Sequence, residues 1–390
     1  MNCRIKYNRL FMVLAFIAAS VLVISCAPKA VMPEAEMDTP DHHFYTGMRL
    51  FDEGKLTDAQ SEFDRAIQLA PKFSRAYAGN ALVKAYQGDS RGAFDVMERA
   101  WKYAAQDEEK GFVHVSKIRL YTMGKPDKDW LKGALGEFES AVKLHPKSSA
   151  AYYFMGQAQK AALNFDKAGQ MFSQVVEINK EYVREADNEW SLIQKIQRAM
   201  PGSVAGKKIA LLDRITRADA AALFMEELKI DILYKKRTPK TFDTDFKDPE
   251  KAKAAVSAQS VTPMDIADHP LKTDIAGVLQ IGVRGLEIYP DGAFHPNDFV
   301  DRATYAMMIE DILIKVTGDN ALATKFIGTT SLFPDLRSDL PYFNAVMVVT
   351  SRGIMQAKDM TNGEFAPLGP VPGVDSLLMI RKLKEELKFF

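Results

Sequence analysis

Cysteine is almost absent. Of 390 residues only Cys3 and Cys26 are cysteines, and none follows residue 26. The rest of the chain has no disulfide to staple it and no thiolate for metal binding or nucleophilic catalysis, so its stability must come from packing. An excess of charge is lacking too. Lys+Arg and Asp+Glu both number 51, which gives no electrostatic reason to expect a nucleic-acid partner. Beyond residue 24 no segment is apolar enough to cross a membrane. Signatures of catalysis are missing as well. There is no Gly-x-Ser-x-Gly elbow, and the six histidines (His42, His43, His114, His145, His269, His295) make no metal-ligand spacing beyond the pair His42-His43, expected to face solvent at a helix start. Gly202 to Lys208 reads Gly-x-x-x-Gly-Lys-Lys, short of a phosphate loop and without its Ser or Thr. The acidic pairs Glu108-Glu109 and Glu226-Glu227 fall on helical stretches where a solvated face is the default. No cofactor and no enzymatic activity are expected.

What is present begins at the amino terminus. Arg4, Lys6 and Arg9 precede an apolar run of 15 residues from Leu10 to Ile24. A spanning helix needs roughly 20 residues, so the run reads as a secretion signal, residues 1–25, that is removed. Its end, Val23-Ile24-Ser25-Cys26, resembles the lipobox of bacterial lipoproteins. That resemblance implies cleavage before Cys26, a diacylglyceryl thioether on it, and acylation of the new amino terminus, leaving the mature chain held to membrane lipid. Ala27, where an Asp would imply inner-membrane retention, implies the outer membrane of a two-membrane cell, facing the periplasm; with one membrane it implies the outer face of the cytoplasmic membrane. Removing the three cations of residues 1–25 leaves 48 against 51 carboxylates.

After a tether over residues 26–39, the chain repeats itself. In a 34-residue frame with Pro71 at position 32, Gly47, Gly54, Ala59, Phe63 and Ala66 take positions 8, 15, 20, 24 and 27. The next frame, from Ser74, puts Tyr77 at position 4 and Ala81, Gly88, Ala93, Met97 and Ala100 at the same five positions. Anchoring on Pro146 brings Ala134, Phe138 and Ala141 into register, and a frame from Ser149 brings Tyr152, Gly156, Ala168 and Phe172. Small residues at these spacings let paired helices approach closely while aromatic residues fill the remaining space. The pattern resembles the tetratricopeptide repeat, with units near 40–73, 74–107, 108–148 and 149–182 and a capping helix to about residue 200. The third unit departs from the frame at residues 108–114 and at Gly124-Lys125-Pro126-Asp127, which predicts a longer first helix or turn. Solenoids of this kind have a concave face lined by the first helix of each repeat. Here that face would carry Phe44, Met48, Phe51, Leu82, Tyr153, Gln157 and Lys160, a candidate docking groove for a protein of the envelope.

From 203 to 390 the period changes. Gly285-Leu286, Tyr289-Pro290-Asp291-Gly292-Ala293-Phe294-His295-Pro296 and Val300-Asp301-Arg302-Ala303-Thr304 form one copy of a second motif. In another copy Phe365, Pro367 and Val371 follow Phe294, Pro296 and Val300 by 71 residues each. Ile215-Thr216-Arg217-Ala218-Asp219 marks a third, without a recognisable upstream half. These segments resemble the S-layer homology motif, with copies near 203–235, 262–317 and 331–388. The resemblance implies a helical pseudo-threefold domain in which a Thr-Arg-Ala-Glu-like helix start holds acidic wall glycan. It carries over to Thr216, Arg217, Asp219 and Arg302; Gly373 stands where the last copy would have its arginine. An Arg at a helix start, beside free backbone N–H groups, also suits an anion on physical grounds.

The expected fold is therefore mainly α: a tetratricopeptide solenoid followed by an S-layer-homology-type domain. The expected function is a non-catalytic envelope lipoprotein joining a membrane to peptidoglycan or an acidic wall glycan, with the solenoid docking a protein. The alternative is an outer-membrane assembly or export scaffold in which the terminal domain is a degenerate spacer.

Overall fold

The computed structural model describes residues 30–237 and 263–388. Cys26, the signal segment before it and most of the polar stretch from Lys235 to Ser260 lie outside the described residues. Among the described residues the regular structure is helical, with three isolated bridge pairs and no strand. The chain forms two compact units divided between Trp190 and Ser191, about ten residues earlier than the sequence pattern suggests and inside the capping helix.

The first unit holds α1 (Pro40–Asp52), α2 (Leu56–Leu69), α3 (Ser74–Tyr86), α4 (Ser90–Tyr103), α5 (Asp107–Gly124), α6 (Trp130–Leu144), α7 (Ser149–Ala161), α8 (Phe165–Ile178) and the start of α9 (Val183–Ala199). Consecutive helices pair as hairpins, and α3, α5 and α7 also pack in series. This is the tetratricopeptide-type solenoid expected. Local signals set the helix starts. Thr39 accepts from His42 N at 3.2 Å with Pro40 in the first turn, Asp89 accepts from Gly92 N at 2.9 Å, and Gln106 and Glu109 form a capping box on α5.

The repeat's small and aromatic positions meet as the spacing requires. A Cβ added at Gly47 would sit 2.6 Å from Phe63 Cε1, and one at Gly156 would sit 2.6 Å from Phe172 Cε1. Both rings are fully buried, and burying such a ring is worth about 1.5–3 kcal/mol. Position 15 is a left-handed turn, φ 76° at Gly54, 89° at Gly88 and 60° at Leu163. The third repeat differs because α5 runs 18 residues against 13 in α1, α3 and α7.

The second unit contains the rest of α9, α10 (Val204–Ile209), α11 (Arg217–Ala222, continuing as a π segment to Leu228), α12 (Ile230–Arg237), α13 (Lys272–Ile281), α14 (Arg302–Thr317), α15 (Phe343–Ser351) and α16 (Gly373–Lys388). The three motif helices α11, α14 and α16 begin in a closed ring of backbone hydrogen bonds. Arg217 N donates to Asp298 O at 2.8 Å and Ala218 N to Pro296 O at 3.0 Å. Arg302 N donates to Gly369 O at 3.0 Å and Ala303 N to Pro367 O at 2.8 Å; Gly373 N closes the ring on Leu212 O at 2.8 Å. Each motif thus satisfies a free helix-start donor on a neighbour's loop.

The loops match in detail. Asp265 accepts from Phe294 N and His295 N, as Asp335 does from Phe365 N and Ala366 N. His295 and Ala366 both adopt φ 54°, a conformation strained for a residue with a Cβ and held in place by these carboxylates.

Candidate functional site

The two arginines singled out by the motif are built into this ring. Arg217 is 5% exposed. Its Nε donates to Phe294 O at 2.9 Å, Nη1 to Gly285 O at 2.6 Å and Nη2 to Glu287 O at 2.8 Å, while its plane lies against Tyr289 and Phe294. Burial pulls this guanidinium below its ordinary pKa. All three nitrogens thus hold the next motif's loop. Thr216 and Asp219 are engaged with each other in a capping box, Thr216 N donating to Asp219 at 2.9 Å and Asp219 N to Thr216 Oγ1 at 3.2 Å.

Arg302 repeats the arrangement one motif on, with a difference. Its Nε donates to Phe365 O at 2.7 Å and Nη2 to Gln356 O at 2.6 Å, while Nη1 makes no hydrogen bond among the described residues. The third motif has no room for an arginine, because a Cβ at Gly373 would lie 1.7 Å from Ile209 O. The short helix α10 stands there in place of a loop to be held.

Beside Arg302 opens a groove of about 650 Å³ lined by Gly353–Lys358, α16 and the end of α9. Six cations border it, Lys195, Arg198, Arg302, Lys358, Arg381 and Lys382, against the carboxylates Asp375 and Glu385. Glu385 already accepts from Lys382 at 2.8 Å, and Lys358 stands 3.9 Å from Asp375. Sequence reasoning found Arg302 but not the cations around it. They lie on three separate elements, with no spacing to connect them.

The solenoid groove divides the residues expected to line it. Phe44 and Met48 face a cavity of about 620 Å³ crossed by α1, α3, α5 and α7. Phe51 is buried beneath the Arg119 guanidinium, and Leu82 is core. Tyr153, Gln157 and Lys160 are covered by their own chain. Tyr153 stacks on Tyr182 at 4.8 Å, Lys160 binds Glu189 of α9 at 2.6 Å, and Gln157 donates to the same carboxylate at 2.9 Å. The residues missed here are Arg75, Ser116, Arg119, Ser149 and Tyr182. Two of them belong to α5, where the repeat frame fails.

Two expectations of solvated side chains are corrected. Glu227 is 6% exposed and accepts from Ser203 N and Ser203 Oγ, both at 2.8 Å, tying α10 to the π segment after α11. His43 is wedged between Asp38 at 2.8 Å and Glu62 at 2.5 Å instead of facing solvent.

No family model matches the chain. One similar curated protein is human tetratricopeptide repeat protein 6, 27% identical over 152 residues, which is 38% of this chain and 26% of that protein. The chain therefore matches about a quarter of that relative's length. The likeness agrees with the helical-hairpin architecture of the first unit.

Proposed function

We propose that this protein is a non-catalytic scaffold of the bacterial cell envelope. Lipid on Cys26 fixes it to a membrane, the outer membrane in a two-membrane cell, facing the periplasm. The solenoid docks a protein partner, and the terminal unit holds peptidoglycan or an acidic wall glycan. The observation that carries the glycan role is the groove beside Arg302, where six cations oppose two carboxylates and one guanidinium nitrogen makes no hydrogen bond among the described residues. Such a field attracts an acidic polymer through many weak contacts and weakens as salt rises. Each contact alone is weak, but attachment at two linked surfaces raises the effective concentration of the second.

The reading is tested by sedimentation with purified sacculi. Lys358→Glu/Lys382→Glu reverses two exposed cations at the groove without touching the arginines that hold the ring. The wild type is expected to sediment and the variant to lose at least ten-fold in affinity, with the wild type released by added salt. Equal sedimentation of the two would contradict a glycan role for this groove.

The alternative, a solenoid-based assembly or export scaffold with the terminal unit as spacer, draws support from a separate observation. Arg217 is fully used within the fold and Gly373 replaces the third arginine, so among the described residues one motif start of three keeps a guanidinium atom without a hydrogen bond. Crosslinking from Met48 to an outer-membrane complex, together with no retention on sacculi, favours this alternative.

A further inference from the structure

The chain just ahead of the first repeat helix is fastened to the solenoid. Val31 N donates to Gln68 O, near the end of α2, at 2.8 Å. Seven residues later Asp38 is 8% exposed. Arg65 Nε donates to its carboxylate at 3.0 Å, Arg65 Nη2 adds a second bond, and His43 Nε2 stands 2.8 Å away. The same carboxylate accepts from Glu34 N at 2.6 Å. A charge-assisted, two-pronged pair of this kind is among the firmer contacts available near a surface. Residues 31–38 thus form a strap along α2, held at Arg65 and Gln68, which lie one turn apart on one face of that helix.

Fastening shortens the tether. Cys26 lies thirteen residues before Thr39 but only five before Val31. At about 3.5 Å per extended residue the longer span reaches about 45 Å and the shorter about 17 Å. A lipid-bearing Cys26 therefore keeps the end of α2 close to the surface that holds the lipid.

The strap also leaves apolar side chains in water. Val31 is 46% exposed, Met32 82% and Met37 66%. The exposed carboxylates Glu34 and Glu36 stand among them. Large apolar side chains next to a lipid anchor gain by entering a headgroup layer, and carboxylates beside them favour a zwitterionic layer over an anionic one.

We propose that the strap holds the α1–α2 hairpin against a zwitterionic lipid surface, with Val31 and Met32 seated among the headgroups. The short leash supplies the effective concentration that lets so small a contact persist. This assignment rests on the reading of Cys26 as lipidated and names the part of the solenoid that meets the membrane.

The test is energy transfer from a donor dye on Lys72→Cys, an exposed position just past α2, to acceptor-labelled headgroups in phosphatidylcholine liposomes carrying the acylated full-length protein. A dye on Lys167→Cys, exposed on α8, serves as the reference. Transfer from position 72 is expected to exceed that from position 167 about three-fold, given the short leash. Val31→Pro removes the donor to Gln68 O at an exposed position and should lower transfer from position 72. Val31→Pro/Asp38→Ala frees the whole strap and should lower it further, with helix content unchanged by circular dichroism. Val31 lies outside the repeat core, so its single variant reads the strap without a folding defect. Equal transfer from positions 72 and 167, in protein that floats with the liposomes, would overturn the assignment and leave the lipid reading intact. Transfer unchanged by both strap variants would overturn the strap as its cause. Protein that does not float with the liposomes would remove the lipid reading and this assignment together.

Discussion

At the scale of single residues, an arginine in a motif carries two readings that the sequence does not separate. Thr216, Arg217 and Asp219 were legible as a helix start, since Thr and Asp three apart form a capping box by local chemistry alone. Which acceptor the arginine would find was not legible, because Gly285 O, Glu287 O and Phe294 O lie about seventy residues downstream. Arg217→Ala leaves those carbonyls and its own site without partners. It should destabilise the terminal unit by about 3–5 kcal/mol, read by urea denaturation, whereas an arginine serving only a ligand would leave stability unchanged. Asp38 offers a second test. The Arg65 hydrogen bonds, then the Glu34 N–H, and also His43, hold its carboxyl well below the usual range of 3.8 despite the opposing effect of burial. A depressed folded-state pKa contributes stability that is present above the unfolded value and is lost as pH falls through the folded one. The wild type should therefore lose stability below about pH 4 more steeply than Asp38→Asn, as followed by thermal melts across pH. Parallel curves would show that this carboxylate is not coupled to folding.

Between residue and molecule lie the helical hairpins, and here the sequence was most readable. Gly47 with Phe63 and Gly156 with Phe172 appear at fixed spacing because the contact between them is local, within one hairpin. The third unit was less readable. The 18 residues of α5 break the frame, so Ser116 and Arg119 had no assigned position. The capping helix was expected after the last repeat, to about residue 200, but its Glu189 reaches back to Lys160 and Gln157 and covers part of the expected groove. Turn geometry gives an element-level prediction. Leu163 adopts the left-handed conformation that Gly54 and Gly88 supply in earlier repeats. Leu163→Gly should relieve about 1 kcal/mol of backbone strain, offset in part by the loss of its half-buried side chain. The expected net effect on chemical denaturation is neutral to slightly stabilising, whereas the same change at an ordinary helical leucine destabilises.

For the whole molecule, the arrangement of modules was more legible than their ligands. The solenoid follows from repeated spacings, in which each repeat tests the others, while the threefold arrangement of the terminal unit was only what the resemblance of its three segments implied. A ligand leaves no such internal copy. The cations around Arg302 come from α9, the Gly353–Lys358 loop and α16, and only folding brings them to one groove. If the lipid and this groove are the two ends of a bridge, neither alone joins membrane to wall. The direct measurement is sedimentation of fluorescent liposomes carrying the acylated full-length protein with purified sacculi. The account predicts that liposomes sediment with the wild type, and that Cys26→Ser or Lys358→Glu/Lys382→Glu each releases them. Liposomes that stay in solution with the wild type, or that sediment equally with all three proteins, would contradict it.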